Sequence, residues 1–126
     1  INSPVFAKAD CLIVFNKPSF DKFVNKVENN GVIFYNSSLI SDVSVNNLAL
    51  GIPVNDIASQ LGNAKVINMV MLGAYLEHFQ TFSQEIIEKV LIKMLGKVKA
   101  AMVDINLQAL KAGREFVKNL GVNYVT

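Results

Sequence analysis

The chain has 126 residues, of which 52% are hydrophobic and only 17% charged, and its formal net charge is +2. That length supports one domain burying about two-thirds of its unfolded surface, and the apolar excess points to a partner that hides what a small core does not. Interspersed lysines and carboxylates exclude the footprint of a nucleic-acid binder, and no uncharged stretch reaches the roughly 20 residues of a membrane span.

In chain order, Asp10-Cys11-Leu12-Ile13-Val14-Phe15 is a short continuous apolar run, which predicts a strand buried on both faces as in a parallel sheet. The single cysteine, Cys11, allows no internal disulfide, no iron–sulfur cluster and no cysteine-based zinc site, so it reads as a buried strand thiol. Ser19 can cap a helix carrying Phe20, Phe23, Val24 and Val27 on one side, with Asn30-Gly31 ending it as a left-handed cap. Val32-Ile33-Phe34-Tyr35 follows as a second buried strand and closes a β-α-β unit, whose crossover should be right-handed.

Asn36, Ser37 and Ser38 come directly after that strand, at the edge of open parallel sheets where ligands bind. They could contact a ligand, but a polar turn whose side chains bond their own backbone is the favoured reading. Residues 43–54 carry no charge and contain β-branched residues, which predicts one or two further strands. Pro53 can open a short helix with Ile57, Ala58 and Leu61 inside and Gly62 at its end.

Asn63 is a good N-cap for a helix from Ala64 to about Phe79. Between Val66 and Leu76 only Asn68 and Gly73 are not apolar, so the helix is expected to be buried all round, by its own sheet on one side and by further protein on the other. Gly73 weakens a helix interior by roughly 1 kcal/mol relative to alanine, which points to something packing closely there. A buried Asn68 must have its amide bonded, most economically to backbone groups at a loop or strand end; contact with a ligand is the weaker alternative.

Ser83 caps the next helix, in which Ile86, Ile87, Val90, Leu91, Met94, Leu95 and Val98 repeat at helical spacing, with Glu88, Lys89, Lys93 and Lys97 outside. Asp104 can cap a final helix ended by Gly121, and on it Asn106, Ala109, Gly113 and Val117 form a stripe that lets two backbones approach. These elements predict a three-layer α/β/α fold with a mostly parallel sheet and a helical C-terminal part. His78, the only histidine, has no second ligand at metal spacing and reads as a partly exposed side chain. Nucleophile-elbow, dinucleotide and P-loop motifs are absent, so the residues alone describe a domain without catalytic residues of its own.

Three blocks resemble the gamma subunit, or gamma domain, of the 2-oxoacid:ferredoxin (flavodoxin) oxidoreductases: Gly31 to Ile40, Gly51 through Asn63 into Asn68 to Ala74, and Asn106 to Gly113. The order and spacing of the blocks are similar to the family over nearly the whole chain, and a separate small gamma chain is most similar to the 2-oxoglutarate type. The family's glycine-rich G-x-G-G-Q-G loop is missing, so residues 1–126 are expected to be a single domain forming the C-terminal two-thirds of a gamma domain, and no coenzyme A contact is carried over.

The resemblance implies a cytoplasmic complex that oxidatively decarboxylates a 2-oxoacid to an acyl-CoA and passes electrons to ferredoxin or flavodoxin. It implies thiamine diphosphate, coenzyme A and iron–sulfur clusters on other subunits and no cofactor on this chain. The implied partners are alpha and beta subunits and a ferredoxin-like delta subunit, with self-association possible for the isolated chain. Structural or interface candidates are Asn36, Ser37, Ser38, Asn68, Gly73, Asn106 and Gly113. The alternative is a stand-alone α/β small-molecule or nucleotide-binding module.

Overall fold

The two continuous apolar runs become neighbouring parallel strands. In the computed structural model, which describes residues 6–7, 10–80, 82–95 and 100–121, one sheet has the order β1 (Phe6–Ala7), β2 (Cys11–Val14), β3 (Val32–Asn36) and β4 (Leu48–Ile52). β2, β3 and β4 are parallel, with Cys11 opposite Val32 and Val32 opposite Leu48, whereas β1 runs antiparallel to β2. Leu12 and Ile33 are fully buried and so is Phe34, so strand side chains of both directions leave water, as a parallel sheet requires. The α/β class with a mostly parallel sheet and a helical C-terminal part is therefore as expected. By contact density the chain forms two compact units, residues 1–53 and 54–126.

In the first unit, α1 (Lys17–Phe23) starts earlier than the sequence reading had it. Asn16, not Ser19, is the cap: its side chain accepts from Ser19 N at 2.9 Å. Pro18 explains the shift, because proline is tolerated in a first helical turn, where its missing N–H costs nothing, and so places the cap before Lys17. The helix gives way to a 3-10 turn at Val24–Lys26, well before Asn30. Gly31 is not a left-handed cap either; a Cβ there would lie 2.5 Å from Val27 Cγ1 and 3.2 Å from the Asp10 carbonyl, so its role is close approach. Phe20 packs with Leu12, Val14, Ile33 and Ile40 into this unit's core. Of the one or two strands expected in residues 43–54 only β4 forms, and Asn47 Nδ2 ties the approach to it by donating to the carbonyls of Glu28 at 2.6 Å and Gly31 at 3.0 Å.

The second unit opens with α2 (Val54–Gln60), after Pro53 as expected, and Gly62 follows with a left-handed φ of 83°. Asn63 accepts from Lys65 N at 2.9 Å and caps a 3-10 turn, Ala64–Val66, that leads into α3 (Ile67–Phe79). Gln80 closes α3 in the left-handed conformation, its N–H donating to the Leu76 carbonyl at 2.9 Å. α4 (Gln84–Leu95) is capped by Ser83, whose Oγ accepts from Ile86 N at 3.2 Å.

Two helix readings change. The apolar face of α4 is not all inward: Ile87 is buried, but Ile86 and Val90 are half exposed, and Lys97 and Val98 lie outside the described residues. α5 (Ala100–Asn119) begins before Asp104, because Ala100, Ala101 and Met102 are helix formers that carry it upstream. Asp104 thus sits inside the helix, its carboxylate accepting from Gln108 Nε2 at 2.7 Å, and Gly121 follows the helix with a φ of 71°.

Candidate functional site

Asn36 is the last residue of β3 and is completely buried. Such an amide must be satisfied inside the protein. Its Nδ2 donates to the Phe15 carbonyl, just past β2, at 3.1 Å, and its Oδ1 accepts from Ser38 N at 3.1 Å. The Asn36 carbonyl accepts from Leu39 N and Ile40 N, and Ser37 N donates to the Ile52 carbonyl at 3.0 Å. One turn therefore joins the carboxyl ends of three parallel strands, with Ser37 and Ser38 half-buried beside it. Chemically it acts as a latch, its backbone donors occupied by the protein's own acceptors. Asn36→Leu, which strips the Phe15 carbonyl and Ser38 N–H of these partners, is expected to cost about 2 kcal/mol in urea unfolding. A variant with the parent's midpoint would show that the latch contributes nothing.

The reactive residue types elsewhere are quiet. The Cys11 thiol is pushed up to about 11, first by burial and then by the Asp10 carboxylate, so it stays protonated at neutral pH. Burial holds the half-buried His78 below its ordinary pKa, with its ring edge-on to Phe79 at 4.8 Å between centroids. Among the described residues no three His, Cys, Asp or Glu side chains gather to hold a metal ion, and no helix is long and apolar enough to cross a membrane.

Within the second unit α3 and α5 cross at two glycines. A Cβ on Gly73 would collide with the Leu110 carbonyl oxygen and lie 2.9 Å from its carbon and 3.2 Å from Arg114 N. A Cβ on Gly113 would collide with the Val70 carbonyl oxygen and lie 3.0 Å from Ala74 N. Each glycine thus admits the other helix's backbone, and Ala109 and Val117 extend the buried stripe on α5. Asn106 lies farther along, half-buried, its Nδ2 donating to the Met102 carbonyl of its own helix at 2.7 Å.

Asn68 does not behave as expected. It is exposed, as is Leu72 at 41%, so α3 is not buried all round in this chain. The reason is rotational: the crossing fixes Gly73 inward, and five residues at 3.6 per turn place Asn68 about 140° away. Its amide therefore ties nothing at the helix start.

One pair escaped the sequence reading. Arg114 Nε donates to Glu77 Oε1 at 3.1 Å, with the two side chains only 15% and 13% exposed, and Gln80 Nε2 holds Glu77 Oε2 at 3.0 Å. Arg114 Nη1 is buried without a partner among the described residues. The available signal was adjacency: Glu77 is one turn after Gly73, and Arg114 follows Gly113.

Comparison with known proteins agrees with this architecture. The family model for pyruvate ferredoxin/flavodoxin oxidoreductase matches residues 1–116. Ketoisovalerate oxidoreductase subunit VorA of Methanothermobacter thermautotrophicus is 33% identical over 118 residues, which are 94% of this chain but 25% of VorA. The chain thus spans a quarter of that relative's length. The 2-oxoglutarate synthase subunit KorC of Methanocaldococcus jannaschii is 29% identical over 124 residues, covering 95% of this chain and 65% of KorC. The solved gamma subunit of a keto/oxoacid ferredoxin oxidoreductase from Geobacter sulfurreducens superposes with a TM-score of 0.75 at 26% identity, over 87% of this chain and 64% of its own. The 2-oxoglutarate:ferredoxin oxidoreductase from Magnetococcus marinus shares the fold, with a TM-score of 0.79 at 23% identity over 92% of this chain and 20% of its own. With residues 1–116 of 126 under one family model, the chain belongs to the pyruvate ferredoxin/flavodoxin oxidoreductase family.

Proposed function

We propose that the chain is the gamma subunit, or gamma domain, of a 2-oxoacid:ferredoxin oxidoreductase and supports oxidative decarboxylation of a 2-oxoacid to an acyl-CoA. The family match over residues 1–116 is the observation that carries this reading, and VorA and KorC, aligned over 94% and 95% of the chain, support it. The role is structural: the Asn36 latch and the glycine crossing make a scaffold, and the catalytic groups belong to alpha, beta and ferredoxin-like delta subunits in the cytoplasm. A single buried, protonated cysteine does not fit an iron–sulfur cluster, which takes several thiolates. No step through a cluster is therefore assigned to these residues. Asn36, Ser37, Ser38, Gly73, Asn106 and Gly113 are proposed to shape the scaffold, and Asn68 to lie on its outer surface.

The test is anaerobic reconstitution with the neighbouring subunits, assaying 2-oxoacid- and CoA-dependent reduction of a viologen dye. 2-Oxoglutarate, the acid in the name of KorC's enzyme, is tried first, and ketoisovalerate, named for VorA, beside it. The chain should co-purify in fixed ratio, and its omission should abolish turnover. Full activity without it would overturn the proposal. So would a stable monomer that binds a nucleotide or small molecule on its own, which would favour the stand-alone module.

A further inference from the structure

The Asn30-Gly31 dipeptide takes no part in the scaffold role, and it carries a chemistry of its own. Asn30 is the only asparagine in the chain that glycine follows. Attack of a backbone nitrogen on the preceding asparagine Cγ is hindered by the side chain next to that nitrogen, and glycine has none. Asn30 is also exposed, in a turn, so its carboxamide is open to water.

The fold opposes the reaction at the nucleophile. Gly31 N donates to the Glu28 carbonyl at 2.8 Å, closing a turn with Asn29 and Asn30 at its centre. Attack requires this nitrogen to lose its proton and swing toward Asn30 Cγ, and the hydrogen bond resists both. Gly31 has little room to swing, being buried against Val27 and the Asp10 carbonyl. A second brace comes from the approach to β4. Asn47 Nδ2 donates to the carbonyls of Glu28 at 2.6 Å, Gly31 at 3.0 Å and Asn29 at 3.4 Å.

We propose that Asn30 is a deamidation site, held closed by the Glu28–Gly31 bond and the Asn47 amide and released when this turn opens. In the open chain Gly31 N bonds to Asn30 Cγ, ammonia leaves, and the resulting succinimide takes up water to give aspartate or isoaspartate. No oxidant or cofactor enters. The isoaspartyl product routes the backbone through the former side-chain methylene and so lengthens it just before Gly31. Space is short there: even a Cβ on Gly31 would lie 2.5 Å from Val27 Cγ1 and 3.2 Å from the Asp10 carbonyl oxygen. The bond from Val32 N to that same carbonyl, 3.1 Å long, starts β3 beside β2, and the lengthened chain does not restore it. The modification thus marks chains that have stayed open and keeps them from refolding.

The experiment incubates the full chain, Asn47→Ala and Asn30→Gln at mildly alkaline pH, with and without denaturing urea. Peptide mass spectrometry follows ammonia loss and isoaspartate at residue 30. In urea, residue 30 of the parent should convert ahead of every other asparagine, and the folded parent should convert about tenfold more slowly or less. Folded Asn47→Ala should convert severalfold faster than the folded parent, with an unchanged rate in urea. Parent aged in urea should refold in lower yield than Asn30→Gln aged alongside it. Equal parent rates in buffer and urea overturn the proposal, as does a residue 30 that converts in urea no faster than the other asparagines. These two outcomes need only the parent, so they decide the matter even where Asn47→Ala does not fold. A folded Asn47→Ala as slow as the parent overturns the part given to Asn47.

Discussion

Gly113→Ala is expected to destabilise the helical unit by about 3 kcal/mol, at the upper end for overpacking, and Gly113→Leu to leave it unfolded. Two effects oppose each other. Alanine favours a helix interior over glycine by roughly 1 kcal/mol, which would stabilise α5. Against this, the new methyl group meets the Val70 carbonyl, its carbon at 2.9 Å and Ala74 N at 3.0 Å. Those atoms are backbone and cannot rotate aside as a side-chain tip would, so the helices must separate. Separation opens the contacts around Val70, Ala74, Ala109 and Val117 together, and the clash wins. Gly73→Ala should behave alike, because its obstruction is the Leu110 backbone. Asn68→Leu, on the exposed side of α3, should stay within about 0.5 kcal/mol of the parent. Urea unfolding of the four variants is the measurement. A neutral or stabilising Gly113→Ala would mean that the backbones do not approach this closely.

Arg114→Leu is the second large effect, expected to cost about 3 kcal/mol or more, because it strands a nearly buried carboxylate. Glu77 retains only 13% of its side-chain exposure, and Gln80 alone would remain to satisfy it. Glu77→Leu should be comparably harmful, since the guanidinium already has one buried nitrogen without a partner among the described residues. The double variant should lose less than the sum of the singles, because no orphaned charge is left. The coupling should persist at high salt, which screens exposed pairs far more than buried ones. Additive losses that disappear in salt would show a surface pair of little consequence.

These results bear on what a sequence can disclose. β2 and β3 were legible because short continuous apolar runs bounded by polar residues have few other uses, and the existence of α3 was legible from its length and cap. Its rotation was not. With Leu72 and Phe79 on the exposed side and Val70 and Ala74 inside, apolar residues occupy both sides, and the pattern holds no phase. A polar Asn68 in such a pattern invites a buried, bonded reading, although it marks the outward side. The start of α1 was misplaced by favouring Ser19 over the constraint that Pro18 imposes. The Glu77–Arg114 pair joins residues 37 positions apart, and no local rule connects them.

The burial of Asn36 also solves a problem of alignment during folding. A strand that is apolar on both faces has no inside and outside to choose between, so Val32-Ile33-Phe34-Tyr35 could slide along β2 by one residue at little hydrophobic cost. The amide breaks that degeneracy. Only in the observed pairing, with Val14 opposite Tyr35, does Asn36 reach the Phe15 carbonyl. Slipped by one, Tyr35 or Ser37 would take its place, and a buried amide would face apolar neighbours with nothing to bond. The polar residue at the end of the strand is thus a proofreading mark, rejecting misaligned sheets that hydrophobicity alone would accept.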